Sequence, residues 1–326
     1  MYKARIISTG YYLPSKILTN KELEKMVDTT DEWITARTGI KERRIAENNE
    51  SSSDMGIKAG KMALEKADMK PGEINAVLCA SITPDHAFPS TACLIQKGLD
   101  LKNAFSFDIS AACSGFIYSL AMAESLLLQE RASNILVIAA EKMSSVTDWE
   151  DRATCVLFGD GAGAVILKKD TGSRGILSYY LGSDGNYGDL LIVPAGGSRK
   201  SITEDNINDR EHFLKMKGNE VFKIAVQKMV ESARISLEKA GCTPEDVKLL
   251  IPHQANLRII NAIVKRLKLE KSQVFINVDK VGNMSAATIA VGLAEAEEKK
   301  IINEGDIISL VAFGGGLTWG GMVLRW

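Results

Sequence analysis

Three residues in this sequence offer nucleophilic, imidazole and amide chemistry at points where a strand gives way to a helix. The first, Cys113, stands in the small-residue turn SAACSG, between an apolar strand and a long apolar helix. A sulfur at a helix N-terminus lies near unpaired backbone N–H groups, which favour the thiolate and predict a nucleophile. The same local context fits a buried structural cysteine equally well.

The other four cysteines lack this placement. Cys79 lies in an apolar strand, Cys93 in a helix and Cys155 in the run ATCVLF, where core packing is the simpler interpretation. Cys242 follows a glycine at a helix end and is expected to be peripheral. None of the five has metal-ligand spacing, so we expect reduced thiols and no metal site.

Imidazole and amide candidates are few, since the chain has 3 histidines. His253 follows the strand LLIP and precedes a helix, so it stands at the carboxyl end of a strand, where open sheets build their sites. Asn283, in VGNMS, follows the next strand and offers an amide donor, although asparagine is also a common turn residue. The triple glycine in AFGGGLTWG suits either an oxyanion hole or a plain tight turn.

The elements that position these residues occur in the same order twice. Strands INAVLCA, AFSFDI and NILVIAA alternate with helices in the first half, and KLLIP, QVFINV and IISLVAF do so in the second. Each half ends in a glycine-interrupted, hairpin-like segment, GDGAGAVILKK or GGGLTWGGMVLRW. Two related halves would aim Cys113, His253 and Asn283 at one point. Buried strands with helices apolar almost all round predict an α/β five-layer sandwich, with helices between two sheets.

We place the two halves at residues 1–172 and 173–326. The polar, glycine-rich stretch 179–217 is expected to connect them and to cover a substrate entrance. The run GDGAGA lacks the strand-turn-helix context and the Lys-Ser/Thr of a phosphate-binding loop, so we expect no nucleotide there.

Composition excludes several classes of protein. The chain has 326 residues, of which 45% are hydrophobic and 25% charged, as in ordinary globular proteins. Its 40 basic and 41 acidic side chains give a net charge of -1, so no overall field recruits nucleic acid or an anionic membrane. The N-terminal segment has no apolar signal region and no stretch approaches about 18 apolar residues, which predicts a cytoplasmic protein.

Eight motifs together resemble the β-ketoacyl-[acyl-carrier-protein] synthase III family, in order and from end to end: DTTDEWITARTGI, HAFPS, AACSGF, FGDGAGA, GNEVFK, PHQANLRII, GNMSAA and AFGGGLTWG. The resemblance implies the thiolase-like five-layer αβαβα fold of two duplicated halves. It also implies a catalytic triad of Cys113, His253 and Asn283. Elongating synthases carry a second histidine and thiolases a second cysteine arrangement at the third position, so Asn283 favours the initiating enzyme.

The implied reaction has two stages and needs no cofactor. Cys113 takes an acyl group from acyl-CoA, which is a substrate, while the backbone N–H groups of Cys113 and Gly315 hold the oxyanion. Malonyl-acyl carrier protein then loses CO₂, and His253 and Asn283 donate hydrogen bonds to the resulting enolate.

The resemblance also assigns binding residues. Residues implied to bind CoA are Thr29, Trp33, Arg37, Arg152 and Asn256, with Trp33 and Arg152 sandwiching the adenine. Residues implied to contact acyl carrier protein are Gln254, Ala255, Asn256, Leu257 and Arg258, on a stretch with Lys265, Arg266, Lys268 and Lys271 against only Glu270. Phe88 would reach the acyl pocket of a partner subunit, which implies a homodimer.

Three other interpretations remain open. A condensing enzyme of polyketide or secondary metabolism would share the fold and the triad. A thiol hydrolase would use Cys-His-Asn differently, although no papain-type signature is present. An inactive acyl-CoA-binding subunit is the third. The choice of primer depends on pocket shape, where one methylene is worth only about 1–3 kcal/mol, and the sequence does not determine it.

Overall fold

The computed structural model describes residues 2–326. Its strands are β1 (Lys3–Tyr12), β2 (Lys16–Thr19), β3 (Glu42–Ile45), β4 (Ala76–Ala80), β5 (Phe105–Ile109), β6 (Asn134–Lys142), β7 (Asp160–Asp170), β8 (Gly175–Ser183), β9 (Leu191–Ile192), β10 (Lys215–Met216), β11 (Val247–Pro252), β12 (Ile307–Gly314) and β13 (Thr318–Arg325). Its α-helices are α1 (Asn20–Leu23), α2 (Asp31–Thr38), α3 (Ser52–Lys66), α4 (Thr91–Gly98), α5 (Gly115–Leu128), α6 (Gly218–Ala240), α7 (Leu257–Leu267), α8 (Val278–Val281) and α9 (Ala287–Glu298).

Two mixed sheets form the frame of the molecule. The first has five strands in the order β1-β7-β6-β4-β5, and the second has four in the order β11-β12-β13-β8. In the first sheet β4 runs parallel to both β5 and β6, whereas β7 is antiparallel to its neighbours. In the second, β11 and β12 are parallel, and β13 is antiparallel to β12 and β8. The parallel strands of each sheet therefore end at one edge, where the candidate residues stand.

Helices complete the five predicted layers. Helices α5 and α9 contact strands of both sheets and their apolar side chains share one core with the two inner sheet faces. Helices α3 and α4 cover the outer face of the first sheet, while α6 and α7 cover that of the second. The prediction of an α/β sandwich with trapped helices is confirmed. The predicted division at residues 172/173 falls in the turn between β7 and β8 and stays a prediction.

The prediction of a strand at QVFINV is wrong, because the structure has no strand over these residues. Only a single parallel bridge between Leu250 and Val274 forms there. The side chain of Gln254 explains the difference, because its Nε2 donates to the carbonyl of Phe275 at 3.2 Å and its Oε1 accepts from the N–H of Asn277 at 3.2 Å. The side-chain amide of Gln254 thus makes the hydrogen bonds to Phe275 and Asn277 that the backbone of a neighbouring strand would otherwise make.

The predicted connection 179–217 also differs in the structure. Residues up to Ser183 belong to β8, because they pair with β13 in the second sheet. The remaining residues 184–217, here called the lid segment, join β8 to α6 and so lie within the second half rather than between the halves. Arg210 and Lys215 of this segment form ion pairs with the buried carboxylate of Asp148. These ion pairs hold the pKa of Asp148 well below its ordinary value and fasten the lid segment to the first half.

The hairpin-like segments differ between the halves. In the second half, β12 and β13 form an antiparallel hairpin across the glycine-rich turn. In the first, GDGAGAVILKK is one long strand, β7, between β1 and β6.

Within residues 2–326 no helix is both long and apolar enough to cross a bilayer. In the same range no cluster of three or more His, Cys, Asp and Glu side chains is placed to hold a metal ion.

Candidate active site

Cys113 lies in a 3-10 turn, Ala112–Ser114, that leads directly into α5. The preceding Ala112 adopts a left-handed backbone conformation with φ of 45°, which is uncommon for a residue with a side chain. Such a conformation persists where the surroundings impose it, as they commonly do at functional sites. Cys113 is 8% exposed and lines the large cavity of the molecule.

The β12–β13 turn holds the turn that carries Cys113 in place. The hydroxyl of Thr318 donates to the carbonyl of Ala111 at 2.8 Å and lies 2.6 Å from the hydroxyl of Ser114. Gly314 packs so closely that a Cβ on it would lie 2.5 Å from the backbone nitrogen of Cys113. Gly315 follows and lines the same cavity. The two amides predicted as an oxyanion hole are therefore held on neighbouring, mutually braced turns.

Replacing Gly314 by alanine is expected to reduce acyl transfer by about 10²- to 10³-fold, because the new Cβ displaces the amide of Cys113, one of the two amides predicted to hold the oxyanion. The rate of acyl-enzyme formation, followed by intact-protein mass, measures this effect. Gly72→Ala is the control, since the nearest atom to its new Cβ is 3.6 Å away. An unchanged acylation rate in a folded Gly314→Ala protein would contradict the assignment.

The protonation state of Cys113 differs from the sequence-based expectation. Burial raises the pKa of its thiol to about 12, so the resting form is the thiol and not the thiolate. The cause is desolvation of the buried sulfur, which disfavours the charged form and outweighs the hydrogen bond with the side chain of Ser285.

His253 lies just after β11 and is 2% exposed. Its backbone N–H donates to the carbonyl of Val311 at 2.8 Å, and its Nδ1 lies 2.7 Å from the hydroxyl oxygen of Thr288. The ring lines the cavity, and its Nε2 has no hydrogen-bond partner in the part of the chain described. Burial lowers the pKa of His253 to about 3, so the imidazole is neutral at physiological pH.

The free energy of unfolding is expected to fall as the pH is lowered from about 6.5 to about 3, since the unfolded chain binds a proton at His253 that the folded chain excludes. Above pH 6.5 neither the folded nor the unfolded chain binds that proton, so the free energy of unfolding is not lowered by His253 there. Denaturant titrations of the wild type and of His253→Asn at several pH values measure the difference. Parallel curves for the two proteins below pH 6.5 would contradict it.

Asn283 presents its amide N–H groups to the cavity because its other polar groups are occupied. Its backbone N–H and carbonyl bond Leu157 and Gly159, and its Oδ1 accepts from the N–H of Ser285 at 2.9 Å. That last bond fixes which way the amide points, since a nitrogen in the Oδ1 position would oppose another donor. The Nδ2 has no protein partner within residues 2–326, and Asn283 lines the cavity.

A cavity of about 710 Å³ brings most of the predicted residues together. The residues predicted from the sequence that line it are Trp33, Arg37, Cys113, His253, Ala255, Asn256, Arg258, Asn283 and Gly315. The lid segment also contributes Leu191, Ile192, Val193, Leu214 and Met216 to the lining, while its covering of a substrate entrance stays a prediction. Thr29, Phe88, Arg152, Gln254 and Leu257 lie outside the lining.

Trp33 marks the mouth of the cavity, between two arginines. The guanidinium carbons of Arg37 and Arg152 lie 5.4 Å and 4.8 Å from its ring centroid. Arg152 also donates to the carbonyl of Asp28 at 2.8 Å. An adenine stacked between Trp33 and Arg152 requires that the guanidinium move aside, because it already lies against the ring. Thr29 is next to this group, and its buried hydroxyl has no partner within residues 2–326.

Gln254 does not fit the predicted contact with a carrier protein. It is 0% exposed, and its side-chain amide donates to the carbonyls of Pro252 and Phe275. Its role is internal, in holding the chain after β11. Leu257 is half-buried against Gly39, and Arg258 is exposed at the mouth of the cavity. Asn256 accepts the N–H of Ile259 at 3.0 Å and so caps α7.

The sequence-based prediction missed two sets of residues. Five apolar side chains that line the cavity were not predicted as site residues from the sequence: Ile82, Met143, Val156, Leu157 and Phe158. No local signal separates them from the core. Thr288 was also missed, although its position five residues after Asn283, in the first turn of a helix, was a signal that could have been used.

Comparisons with known proteins agree with this geometry. The family model described as 3-Oxoacyl-[acyl-carrier-protein (ACP)] synthase III matches residues 107–185, and the model of its C-terminal part matches residues 237–326. Beta-ketoacyl-[acyl-carrier-protein] synthase III of Caldanaerobacter subterraneus subsp. tengcongensis is 54% identical, over 99% of this chain and 98% of that protein.

Solved structures extend the comparison to the fold. The 3-oxoacyl-[acyl-carrier-protein] synthase III of Aquifex aeolicus has a TM-score of 0.92 at 49% identity, with 99% of this chain and 100% of that chain covered. The priming β-ketosynthase of the R1128 polyketide pathway has a TM-score of 0.92 at 35% identity, with 99% and 96% covered. This chain belongs to the β-ketoacyl-[acyl-carrier-protein] synthase III family of condensing acyltransferases, with the thiolase-like fold.

Proposed function

We propose that this chain condenses an acyl-CoA primer with malonyl-acyl carrier protein to give 3-oxoacyl-acyl carrier protein, CO₂ and CoA, and so initiates fatty acid synthesis. One observation carries the proposal. A buried thiol, a neutral imidazole with a free Nε2 and an amide with a free Nδ2 share a single cavity, at Cys113, His253 and Asn283. This set suits acyl transfer followed by stabilisation of an enolate.

In the first stage, the sulfur of Cys113 attacks the thioester carbonyl of acyl-CoA. The tetrahedral oxyanion accepts hydrogen bonds from the N–H groups of Cys113 and Gly315. Collapse breaks the bond to the CoA sulfur, and the proton lost by Cys113 ends on the departing thiol. One thiol replaces another, so the stage needs no net base.

In the second stage, malonyl-acyl carrier protein enters and its carboxylate leaves as CO₂. The electron pair of the broken bond forms an enolate, whose oxygen accepts hydrogen bonds from Nε2–H of His253 and Nδ2–H of Asn283. A neutral imidazole is suited to this step, because it donates a hydrogen bond without having to lose a proton. The enolate carbon then attacks the carbonyl carbon of the acyl group on Cys113, the carbon–sulfur bond breaks, and the released thiolate takes a proton from solvent to restore the resting thiol.

CoA and the carrier protein reach the site from the mouth of the cavity. Arg37, Trp33 and Arg152 there offer stacking and positive charge for the nucleotide end of CoA. Arg258 stands beside them, and further along α7 the exposed side chains are Lys265, Arg266 and Lys268, followed by Lys271. This basic face suits an acidic carrier protein. Ala255 and Asn256, on the cavity wall, would meet its prosthetic arm.

A homodimer is supported by exposed apolar groups at one edge of the first sheet. Strand β5 is an edge strand, and its Phe105 is 43% exposed. Phe88, in the loop before α4, is 85% exposed. Unpaired strand edges and exposed aromatic side chains are typical of surfaces that pair with a second copy.

We also propose that the protein is cytoplasmic and that its reaction needs no cofactor.

Condensation by the purified chain tests the proposal. Malonyl-acyl carrier protein is incubated with acetyl-, isobutyryl- or isovaleryl-CoA, and the mass of the carrier-bound product is measured. A 3-oxoacyl product is expected with at least one primer, and the relative rates identify the preferred one. Absence of product with all short primers, from a protein that is folded and monodisperse, would overturn the proposal.

Priming of a polyketide pathway is a second candidate function, favoured by the 35% identity to the R1128 enzyme. The two functions differ in the carrier protein that is served. Rates with the carrier of fatty acid synthesis and with a polyketide carrier, at equal concentrations and with the same primer, separate them. A clear preference for the polyketide carrier would move the assignment to the second function.

A further inference from the structure

Thr288, in the first turn of α9, lies directly behind the ring of His253. Its hydroxyl oxygen is 2.7 Å from Nδ1, and the threonine is 0% exposed. No other contact to Nδ1 occurs within hydrogen-bond distance among residues 2–326. The orientation of the ring, and hence the direction of Nε2, therefore depends on this one hydroxyl and on the packing around it.

The hydrogen bonds around Thr288 determine where its single proton goes. The backbone N–H of Gln254 donates to the hydroxyl oxygen at 3.3 Å, so the hydroxyl already acts as an acceptor there. The hydroxyl proton lies either on the bond to Nδ1 of His253, 2.7 Å away, or on the bond to the carbonyl of Ser285, 2.9 Å away. In the second arrangement Nδ1 carries a proton and donates to the hydroxyl. That carbonyl also accepts the backbone N–H of Thr288 at 3.3 Å. The carbonyl of Ser285 is thus bonded in both arrangements, and the 2.7 Å contact is of usual length for a bond donated by a hydroxyl but short for one donated by a ring N–H, which favours the first arrangement.

A neutral imidazole with Nδ1 as acceptor carries its proton on Nε2. The cavity then receives an N–H donor from His253 beside the Nδ2–H donor of Asn283. In the other tautomer Nε2 would present a lone pair, which repels an enolate oxygen instead of stabilising it. The hydrogen bond behind the ring thus selects the form of His253 that the second stage of the reaction requires.

We propose that Thr288 is a positioning residue whose hydroxyl donates to Nδ1 of His253 and thereby holds the imidazole in the Nε2–H tautomer. The inference rests on the proposed function for its consequence in catalysis, because only malonyl decarboxylation needs that donor. The tautomer itself is a property of the resting protein and is measured without substrate.

The tautomer is measured by nitrogen NMR on protein labelled at histidine. The chain has 3 histidines, and a His253→Asn sample identifies the signals of His253. We expect a neutral ring protonated at Nε2 from about pH 6 to 8, and a mixture of tautomers or the reversed form in Thr288→Val. A wild-type ring protonated at Nδ1 would overturn the proposal, whatever the enzyme is found to condense.

Two variants separate positioning from simple packing. Thr288→Val keeps the shape and removes the hydroxyl, and it is expected to slow malonyl decarboxylation by about 10- to 100-fold while acyl-enzyme formation changes little. Thr288→Ser retains the hydroxyl and should restore most of the rate. Equal losses in both stages, an unaffected decarboxylation rate in Thr288→Val, or no recovery in a folded Thr288→Ser protein would each overturn the proposal. If the wild type condenses no primer but shows Nε2–H, the proposed function fails and the tautomer assignment stands.

Discussion

Replacing Cys113 by alanine is expected to abolish the covalent acyl-enzyme and to lower condensation by more than about 10⁴-fold. The sulfur is the only thiol on the cavity wall within residues 2–326, and the turn that carries it is braced by Thr318 and Gly314. Intact-protein mass after incubation with acetyl-CoA measures the loss, because the wild type gains the mass of one acetyl group.

The second stage should survive in Cys113→Ala. His253 and Asn283 are held by bonds to Val311, Thr288 and Ser285, none of which involves the sulfur. The variant should therefore still release CO₂ from malonyl-acyl carrier protein, without forming a condensation product. Cys242→Ala is the matched control, a thiol replaced far from the cavity lining. An acylated Cys113→Ala protein would show that another residue is the nucleophile.

His253→Ala should retain acyl-enzyme formation and lose malonyl decarboxylation by about 10²- to 10³-fold, the usual cost of one oxyanion donor. In the proposed mechanism the neutral ring donates a hydrogen bond to the enolate, whereas the exchange of one thiol for another in the first stage needs no imidazole. Two measurements separate the stages. The acyl-enzyme is followed by mass, and the release of labelled CO₂ from malonyl-acyl carrier protein is followed by scintillation counting.

Asn283→Asp gives a matched test of the second donor. The aspartate retains an oxygen that accepts the N–H of Ser285 at the position of Oδ1, but it replaces the Nδ2 donor by a second carboxylate oxygen. Decarboxylation should fall at least as far as in His253→Ala, because the new charge repels the enolate. His86→Ala, at an exposed loop position, is the control. Normal condensation of malonyl by either active-site variant would rule out the mechanism.

The strand-to-helix transitions were predictable from the sequence because they depend on local composition. Cys113 and His253 each follow an apolar run and precede an amphipathic or apolar helix, and the structure places both at strand ends. The strand QVFINV was predicted wrongly for a physical reason. Its pattern is that of a strand, but Gln254 supplies the hydrogen bonds from a distant turn, and periodicity contains no information about such a side chain.

The residues of the candidate site were predictable from the sequence, but their protonation and their burial were not. Local sequence favoured a thiolate at Cys113, while burial raises the pKa of that thiol to about 12. The family resemblance implied that Gln254 contacts a carrier protein, although Gln254 is buried. Both differences come from burial of the side chain, which depends on the whole fold and not on neighbouring residues in the chain.

The sequence by itself determined the order of elements, the five-layer sandwich and the identity of Cys113, His253 and Asn283 as candidates, since these follow from pattern, duplication and family motifs. Only the tertiary structure decided which atoms of these residues face the cavity. Nε2 of His253 and Nδ2 of Asn283 are available because Thr288 and Ser285, brought there by the packing of α9, occupy the opposite atoms. Hydrogen bonds between segments distant in the chain form only when the core is assembled. The sequence therefore identified the candidate catalytic residues, and the fold determined the orientation and the protonation of their side chains.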